Sequence, residues 1–462
     1  MAKNDAQSQH HRMTQLPIPK VIVSMAIPTT MTQLITVIYN SADTFFVGRI
    51  NNSASAAVGA AFSLMALIQA LAFGLVTGAS SLISRRLGAK DHEAANRYFS
   101  SVAACELIIG LLIQIFGLLF LEPLMKLLGA TETMLPYSCA YARFILIGTP
   151  FNCMTFCLNA SLRSEGHATY SMIGMCSGGI LNIILDPIFI FALDLQTAGA
   201  ALATAVSQFF SFCILLIPFL RRQTILRFRF RSISRKFRDY ADIVRTGLPT
   251  ICRQGVSSLA SAMMNNAVVA MTLAPAAKDA AMSAITVANK LYMLVRNIIL
   301  GIGQGFQPVA GYNYGAGQRS RVKKAFGFVC LLGTVFGTAA ALLLGIFADS
   351  AIGLLRPDPD VVAYGAPALI YLCCCLPMLA YSTYVNQMYQ CLGFSLWATV
   401  LACCHQGIFY IPLILTLPHT MGYTGIALTQ PLADIITFIV SVPFQIVFFR
   451  KMLANADDPL PV

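Results

Sequence analysis

Residues 74–88 read GLVTGASSLISRRLG and residues 301–315 read GIGQGFQPVAGYNYG, two stretches that lie 227 residues apart. Shifting the chain by this offset places glycine on glycine at three positions. The same offset continues to align glycine, proline, tyrosine and asparagine, which chance matching does not explain. The aligned pairs are Gly74 and Gly301, Gly78 and Gly305, Gly88 and Gly315, Gly110 and Gly337, Tyr137 and Tyr364, Pro150 and Pro377, Asn159 and Asn386, and Gly166 and Gly393. The sequence therefore predicts two similar halves.

The composition predicts that both halves lie in a membrane. Hydrophobic residues make up 57% of the 462-residue chain and charged residues only 11%, whereas soluble domains carry roughly 25% charged residues. So few charges cannot cover a surface in water, but lipid requires no polar coat. A spanning helix needs about 20 mostly apolar residues. Twelve such segments are predicted, at 21–47, 55–84, 98–121, 136–158, 170–193, 197–220, 243–273, 281–311, 325–347, 361–388, 395–417 and 422–448.

Basic residues predict the orientation of these spans, because loops rich in lysine and arginine stay in the cytoplasm. They cluster after the second and eighth spans, in the central linker and in the C-terminal tail. The predicted organisation is an N-terminal cytoplasmic tail (1–20), an N-lobe (21–220), a basic linker (221–242), a C-lobe (243–448) and a C-terminal cytoplasmic tail (449–462). Residues 226–240, LRFRFRSISRKFRDY, are expected to lie along the anionic inner leaflet. These loops account for the net charge of +12, so no nucleic-acid partner is predicted.

The repeat also predicts a mode of action. Six spans per half give both halves the same orientation, so the repeat is parallel. Two similar bundles that meet face to face enclose a central cleft, and rocking them exposes the cleft to alternate sides, which is typical of secondary transporters. The sequence contains no GxxxxGK[ST] phosphate-binding loop, so energy has to come from an ion gradient, a substrate gradient or a separate subunit. It also contains no HExxH or Gly-x-Ser-x-Gly motif, and neither enzymatic activity nor a cofactor is expected.

Two carboxylates within the predicted spans are candidates for ion coupling, because charges inside a bilayer are costly and usually functional. Asp43 lies in IYNSADTFFVG (38–48) and Asp186 lies in LNIILDPIFIF (181–191). Asn182 precedes Asp186 by four residues and therefore shares its helix face. Carboxylate and amide oxygens on one face can bind a small cation or hold a proton. The alternative is an interhelical hydrogen bond that has no role in transport.

The other ionisable residues of the spans leave their roles open. Glu106 and Asp434 are further acids. Arg253, near the start of the seventh span, is expected to reach the membrane interface by snorkelling. Lys290 and Arg296 either neutralise Asp434 or line the cavity. The basic candidates as a group are Arg253, Lys290, Arg296 and His405.

Several long segments resemble the multidrug and toxic-compound extrusion (MATE) family, and its DinF-like branch in particular. The resemblance covers nearly the whole chain and includes the repeat of six plus six spans. The segments are IPTTMTQLITVIYNSADTFFVG (27–48), GASSLISRRLGAKDHEAANRYF (78–99), NASLRSEGHA (159–168), LNIILDPIFIF (181–191), TAGAALATAVSQ (197–208) and GIGQGFQPVAGYNYGAGQ (301–318).

The resemblance implies a fold and a site. The fold is all-α and integral to the membrane, with twelve transmembrane helices in two six-helix lobes around a central V-shaped cavity. Carried over to matching positions, the proton or Na⁺ site of the N-lobe consists of Asp43, Asn182, Asp186 and Thr204. Asp43 is then the main coupling carboxylate, and Pro28 matches a proline at which the first helix bends. A static kink packed against its neighbours is the alternative for Pro28.

The resemblance also implies that the chain exports bulky, hydrophobic and often cationic small molecules, as an antiporter coupled to inward movement of H⁺ or Na⁺. An apolar cavity with methionine and aromatic walls suits such cations. Candidates for the N-lobe wall are Tyr39, Phe151, Met154 and Met175, although ordinary packing is the favoured explanation for each of them. The expected setting is the bacterial inner (cytoplasmic) membrane, with the protein as a monomer.

The sequence departs from the NorM-like branch of the family, which carries acids in spans 7 and 10. Ser257 and Ser258 occur in span 7 instead, and span 10 has no acid after Asp360. A coupling site in the C-lobe is therefore not expected unless Asp434 replaces it. The runner-up function is a flippase of lipid-linked saccharides from the related superfamily, although flippases usually have extra helices and a more cationic cavity.

Overall fold

The computed structural model describes residues 2–50, 52–269, 271 and 275–454, and these ranges are almost entirely helical. The helices of the first half are α1 (Ala2–Gln15), α2 (Ile18–Gly48), α3 (Asn52–Gly88), α4 (His92–Leu119), α5 (Leu121–Leu127), α6 (Leu135–Ser164), α7 (Ala168–Pro187) and α8 (Gln196–Leu220). Those of the second half are α9 (Phe237–Val269), α10 (Pro275–Gly315), α11 (Arg319–Ile346), α12 (Ala348–Leu355), α13 (Pro359–Cys374), α14 (Leu376–Leu392), α15 (Ser395–Cys403), α16 (Tyr410–Met421) and α17 (Tyr423–Ala454). Single π-helical turns follow α7 at Ile188–Ala192 and α15 at Cys404–Ile408.

The predicted twelve spans are confirmed. Within the described ranges, 10 helices have the length and hydropathy of a span, and α13 with α14 forms another that is bent by 47°. The remaining span is α9, whose 33 residues extend over about 50 Å at 1.5 Å per residue. Polar residues along its length, Arg253, Gln254, Asn265 and Asn266 among them, lower its hydropathy. The short helices α5 and α12, which lie between spans, were not predicted.

Contacts that recur at the same offset confirm the internal repeat. Gly88 of α3 packs against the backbone of Tyr312 in α10, while Gly315 of α10 packs against the backbone of Arg85 in α3. Arg85 and Tyr312 are themselves separated by 227 residues, so these are two symmetry-related halves of one helix crossing. The partner backbone occupies the space that a Cβ would need at either glycine, and only glycine permits such an approach.

The interiors of the two lobes also match. In the N-lobe, Asn159 Nδ2 donates a hydrogen bond to Ser171 Oγ at 2.8 Å. In the C-lobe, Asn386 Nδ2 donates to the carbonyl oxygen of Ala398 at 2.6 Å, and both partners stand at the repeat-related positions. The same is true of the contacts of Gly110 with Pro150 and of Gly337 with Pro377. The halves therefore share a packing scheme as well as a helix count.

The lobes meet at one end of the bundle, which we call the basic end because it carries α1, the α3–α4 turn (89–91) and the linker (221–236). There α2 packs on α10 and α3 packs on α9, and Thr29 Oγ1 donates across the lobes to Gly301 O at 2.7 Å. Buried residues of α2 run from Ile18 to Thr29 and reappear only at Asp43 and Val47. The lobes are thus closed at the basic end and diverge toward the opposite end, which produces the V-shaped cavity.

The predicted N-terminal tail contains a docked helix. Met13 of α1 is fully buried, and Gln9 Nε2 donates to Glu165 O of the N-lobe at 2.7 Å. Asn313 Nδ2 of the C-lobe donates to Met13 O at 3.0 Å. The segment was expected to be a simple tail because it is polar, but α1 contacts both halves at the basic end.

The linker is bonded to α4 along its backbone. Arg227 N donates to Asn96 Oδ1 at 2.6 Å, and Arg229 N donates to Ser100 Oγ at 3.2 Å. α9 begins at Phe237, inside the segment predicted as linker. At the other terminus α17 continues to Ala454, inside the predicted tail 449–462, of which residues 455–462 lie outside the described residues.

Candidate functional site

Asp43 lies on the N-lobe side of α2 and is only 4% exposed. The hydroxyl of the fully buried Tyr141, from α6, donates to Asp43 Oδ2 at 3.2 Å. The other carboxyl oxygen, Oδ1, is buried and has no hydrogen-bond partner among the residues that the structure describes. Asp43 therefore has one oxygen fixed by a neighbouring helix and one oxygen available to a further partner.

Asp186, Asn182 and Thr204 form the second part of the site. Asn182 Nδ2 donates to Asp186 Oδ1 at 3.2 Å and to Thr204 Oγ1 at 3.3 Å. Asn182 and Asp186 therefore share one helix face, as their spacing of four residues predicts, and this face is directed toward α8. Asp186 is completely buried. The α-helix ends at Pro187, which has no N–H to donate, and a π-helical turn follows, as is frequent at functional sites.

Tyr141 links the two parts, because its hydroxyl bonds to Asp43 and lies close enough to Asp186 for an electrostatic interaction. Asp43 Oδ1, Asp186 Oδ2 and Asn182 Oδ1 are all buried without a hydrogen-bond partner in the described part of the chain. Carboxyl and amide oxygens accept hydrogen bonds and bind hard cations. Oxygens arranged in this way can hold a proton or bind a small cation.

The predicted cavity residues take part in helix packing. Tyr39 lies beside α7, and the rings of Phe151 and Phe209 meet edge to face at a centroid distance of 4.9 Å. Met154 and Met175 pack against the buried core. These contacts position α2, α6, α7 and α8, and a role of the four residues in the cavity wall stays a prediction. Pro28 is buried inside α2, which continues as one helix through it.

Asp434 of α17 forms a separate cluster in the C-lobe. The hydroxyl of Tyr292 donates to Asp434 Oδ2 at 2.8 Å, and Gln430 Nε2 donates to Oδ1 at 2.9 Å. His405 Nε2, from the π-helical turn after α15, lies 2.6 Å from Oδ1. Of the two predicted roles for Lys290 and Arg296, direct pairing with Asp434 is not observed, since His405 is the only basic residue with a nitrogen within 4.0 Å of its carboxyl group in the described part of the chain.

Arg253 lies between the lobes, and its expected reach to the membrane interface stays a prediction. It lies sixteen residues after Phe237, the first residue of α9, which is about 24 Å along the helix. There it lines a chamber of about 20 Å³ between the lobes, together with Arg163 and Gln304. Arg163 Nη1 donates to Gln304 Oε1 at 2.7 Å. The chamber has room for about one water molecule and lies in the closed half of the bundle.

The tyrosines that bond to Asp43 and Asp434 were not predicted from the sequence. Tyr141 and Tyr292 are separated from their acids by 98 and 142 residues, so no local spacing indicates them. Glu106 was predicted as a further acid and is completely buried in α4. Both of its carboxyl oxygens lack a hydrogen-bond partner within the described ranges.

The fold and this site together define a class of protein: a polytopic helical membrane protein of two parallel six-helix lobes, with a buried pair of acids in the first lobe. A sequence profile of the MatE family matches residues 28–188 and 255–416. The two matched segments begin at positions related by the internal repeat. The chain belongs to the MatE family.

Similar proteins extend over almost the whole chain. "Multidrug export protein MepA" of Staphylococcus haemolyticus is 28% identical and covers 90% of both chains. "FAD transporter" of Shewanella oneidensis is 24% identical over 92% of this chain and 94% of the relative. Among solved structures, an outward-facing conformation of a multidrug resistance MATE family transporter superimposes with a TM-score of 0.90 at 26% identity, covering 96% of this chain and 98% of the other.

Proposed function

We propose that the protein is a secondary active antiporter that exports hydrophobic, often cationic compounds and is driven by inward movement of protons or sodium ions. The observation that carries the proposal is the buried acid site, in which Asp43 and Asp186 present unpartnered oxygens inside the N-lobe. An uncompensated charge within a membrane bundle is costly. Binding or release of one positive ion therefore changes the energy of the lobe enough to shift a conformational equilibrium.

Helix α2 connects the acid site to the contact between the lobes. Asp43 lies near its C-terminal end, whereas Thr29, which bonds to Gly301 of the other lobe, lies near its N-terminal end. Pro28 removes a backbone hydrogen bond beside Thr29 and makes bending easier. Neutralising Asp43 releases the Tyr141 hydroxyl, lets α2 move and weakens the closure at the basic end. The cavity then opens on the other side, which is alternating access.

The basic loops place the basic end and both termini in the cytoplasm under this proposal. Closure at the basic end then corresponds to an outward-open state, and the similarity to an outward-facing relative supports this. The units that rock are the N-lobe (21–220) and the C-lobe (243–448), within a monomer in a bacterial inner membrane. One relative is named a multidrug export protein, which supports the transport of several apolar compounds by this protein rather than of a single compound.

Reconstituted vesicles test the proposal. The purified protein is placed in lipid vesicles, a proton or sodium gradient is imposed, and movement of a fluorescent lipophilic cation is followed. We expect gradient-driven movement by the wild type and at least a tenfold loss in Asp43→Asn, since the amide cannot exchange a proton or carry the charge that attracts sodium.

The matched control is Asp194→Asn, which removes an exposed acid of the same lobe outside the site and should transport like the wild type. Far-ultraviolet circular dichroism checks that both variants keep their helices. Unchanged gradient-driven movement in a folded Asp43→Asn variant would remove Asp43 from the mechanism.

A second candidate function is the movement of lipid-linked saccharides. Arg163 and Arg253 at the closed floor of the cavity are the observation that favours it, because such substrates carry phosphates that arginine binds well. The same vesicles distinguish the two candidates. A flippase would move a short-chain lipid pyrophosphate without an ion gradient, and Asp43→Asn would leave that movement intact.

A further inference from the structure

A second large cavity lies at the basic end, outside the transmembrane bundle. It has a volume of about 570 Å³ and lies between α1, the α3–α4 turn and the linker. Its charged walls are Lys90, Arg227 and Arg229, joined by the histidines His10, His11 and His92. No aspartate or glutamate is among its described lining residues, so the cavity has one sign of charge.

The positive side chains of the cavity have no acidic partner among the side chains that the structure describes. None of Lys90, Arg227 and Arg229 has a carboxylate within 4.0 Å among the residues with described side chains. Elsewhere on the same surface arginines are paired, as in Arg97 with Asp239 at 3.0 Å. The cations that line the cavity are therefore left for a partner that is not part of the chain.

The wall formed by the linker is held in place through its backbone. Arg227 N donates to Asn96 Oδ1 at 2.6 Å, and Asn96 Nδ2 donates to His92 O at 2.8 Å. One residue upstream, Leu226 N donates to Glu165 Oε1 at 2.7 Å. Hydrogen bonds of the main chain fix this linker segment. The guanidinium groups of Arg227 and Arg229 can therefore contact a ligand at little cost in backbone entropy.

Lys90 occupies a backbone conformation that favours glycine. Its φ is +61°, and the repeat-related residue in the second half is Gly317, with a φ of +76°. A side chain other than glycine, asparagine or aspartate is uncommon in this region because its Cβ is strained there. The first half thus has a lysine in the cavity wall at a position where the second half has glycine, which adopts this backbone conformation without strain.

The histidines add unused hydrogen-bonding atoms. The Nδ1 atoms of His10 and His92 are buried and have no hydrogen-bond partner in the described part of the chain. Burial lowers the pKa of His10, and the positive charges of Lys90 and His92 lower it further. Burial is the larger cause of this shift, and an anion bound in the cavity would offset only the smaller contribution of the neighbouring positive charge.

We propose that this cavity is a binding site for a phosphate-bearing anion, held by Lys90, Arg227 and Arg229. Planar guanidinium groups bind phosphate oxygens with paired hydrogen bonds, and the volume exceeds what a single inorganic ion needs. The ligand is either a soluble pyrophosphate-type molecule or the headgroup of an anionic lipid. The site lies on the basic end and is separate from the acid site, so the proposal does not depend on the direction or the substrate of transport.

Binding to purified protein tests the site. The protein is placed in nanodiscs of neutral phosphatidylcholine and titrated with inorganic pyrophosphate. The pocket variant is Arg227→Gln with Arg229→Gln, and the matched control is Arg235→Gln with Arg238→Gln, which removes the same charge from exposed positions nearby that do not line the cavity. We expect the pocket variant to weaken binding at least tenfold and the control to stay within about threefold of the wild type.

A second arm tests the lipid source. The protein is purified from membranes that contain phosphatidylglycerol, and native mass spectrometry counts the retained anionic lipids. A headgroup ligand predicts that the pocket variant retains fewer phosphatidylglycerol molecules than the wild type and the control. Loss of pyrophosphate affinity or of retained lipid in the pocket variant alone supports the site. Equal losses in both variants, or no binding of either probe by the wild type, overturn it.

Discussion

The hydroxyl of Tyr141 holds one oxygen of Asp43 and leaves the other without a partner. An acid arranged in this way has a defined orientation and still has room for one further positive ion. Asp186 is arranged in the same way. Its Oδ1 accepts a hydrogen bond from Asn182, and its Oδ2 has no hydrogen-bond partner among the described residues. At the scale of single residues, the proposed coupling therefore depends on two half-satisfied carboxyl groups.

Removing the Tyr141 hydroxyl tests this arrangement. We expect Tyr141→Phe to destabilise the protein by about 1–3 kcal/mol, because Asp43 Oδ2 loses its donor while it remains buried. Thermal unfolding in detergent measures the change as a lower Tm. Tyr170→Phe is the control, since Tyr170 is 45% exposed, and its Tm should match the wild type. A Tyr141→Phe protein with the stability of the wild type would show that the bond contributes nothing.

At the scale of elements, the linker and α1 are fastened to the N-lobe through Glu165, the residue that follows α6. Its carboxylate accepts hydrogen bonds from Ile225 N at 3.1 Å and Leu226 N at 2.7 Å, while its carbonyl accepts one from Gln9. Glu165 is completely buried. One side chain therefore couples the position of α1 to that of the linker.

Glu165 makes this attachment dependent on pH. Burial raises the pKa of its carboxyl from 4.5 to about 8, although the backbone N–H groups of Leu226 and Ile225 oppose the shift. The folded state thus binds the proton more tightly than the unfolded chain does. The resulting stabilisation is complete below about pH 4.5 and disappears as the pH rises through 8.

Glu165→Gln should remove that dependence, because the amide does not titrate. We expect Tm to fall between pH 5.5 and pH 8.5 by more in the wild type than in Glu165→Gln, when both are measured in the same detergent. Comparing the two proteins cancels the contributions of all other titrating groups. Identical changes in Tm would contradict the role assigned to Glu165.

Elements were predicted from the sequence with very different success. The twelve spans follow from long apolar runs, and Asn182 with Asp186 follows from a spacing of four, because both signals are local. Tyr141 was missed since its contact with Asp43 depends on how α2 and α6 pack. The polar composition of residues 2–15 gave no indication that α1 would dock, because it does so through one buried methionine and a few backbone acceptors.

At the scale of the whole molecule, the closed basic end depends on the glycine crossing of α3 and α10. Gly88 and Gly315 each face a partner backbone that leaves no room for a Cβ. The two contacts are related by the repeat, so a change at one position should disturb the closure of both lobes. A single methyl group at this crossing is therefore expected to weaken the closure.

We expect Gly88→Val to shift the protein toward a state that is open at the basic end. Hydrogen exchange monitored by mass spectrometry should show faster exchange in residues 243–250 and 301–315, which are protected by the closure. Gly345→Val is the matched control, because nothing lies within 4 Å of a Cβ at that position. Equal protection in Gly88→Val and the wild type would show that the crossing does not hold the lobes together.

The central claim is that ion binding at Asp43 and Asp186 and substrate binding favour different states of the protein, so that binding of one releases the other. The most direct test is to add a lipophilic cationic dye to purified protein in weakly buffered solution and to measure the ions that binding releases. We predict that the wild type releases protons, or sodium ions when sodium is the coupling ion. The double variant Asp43→Asn with Asp186→Asn should bind the dye and release neither ion. Dye binding by the wild type without release of either ion, or equal release by the double variant, would contradict the account.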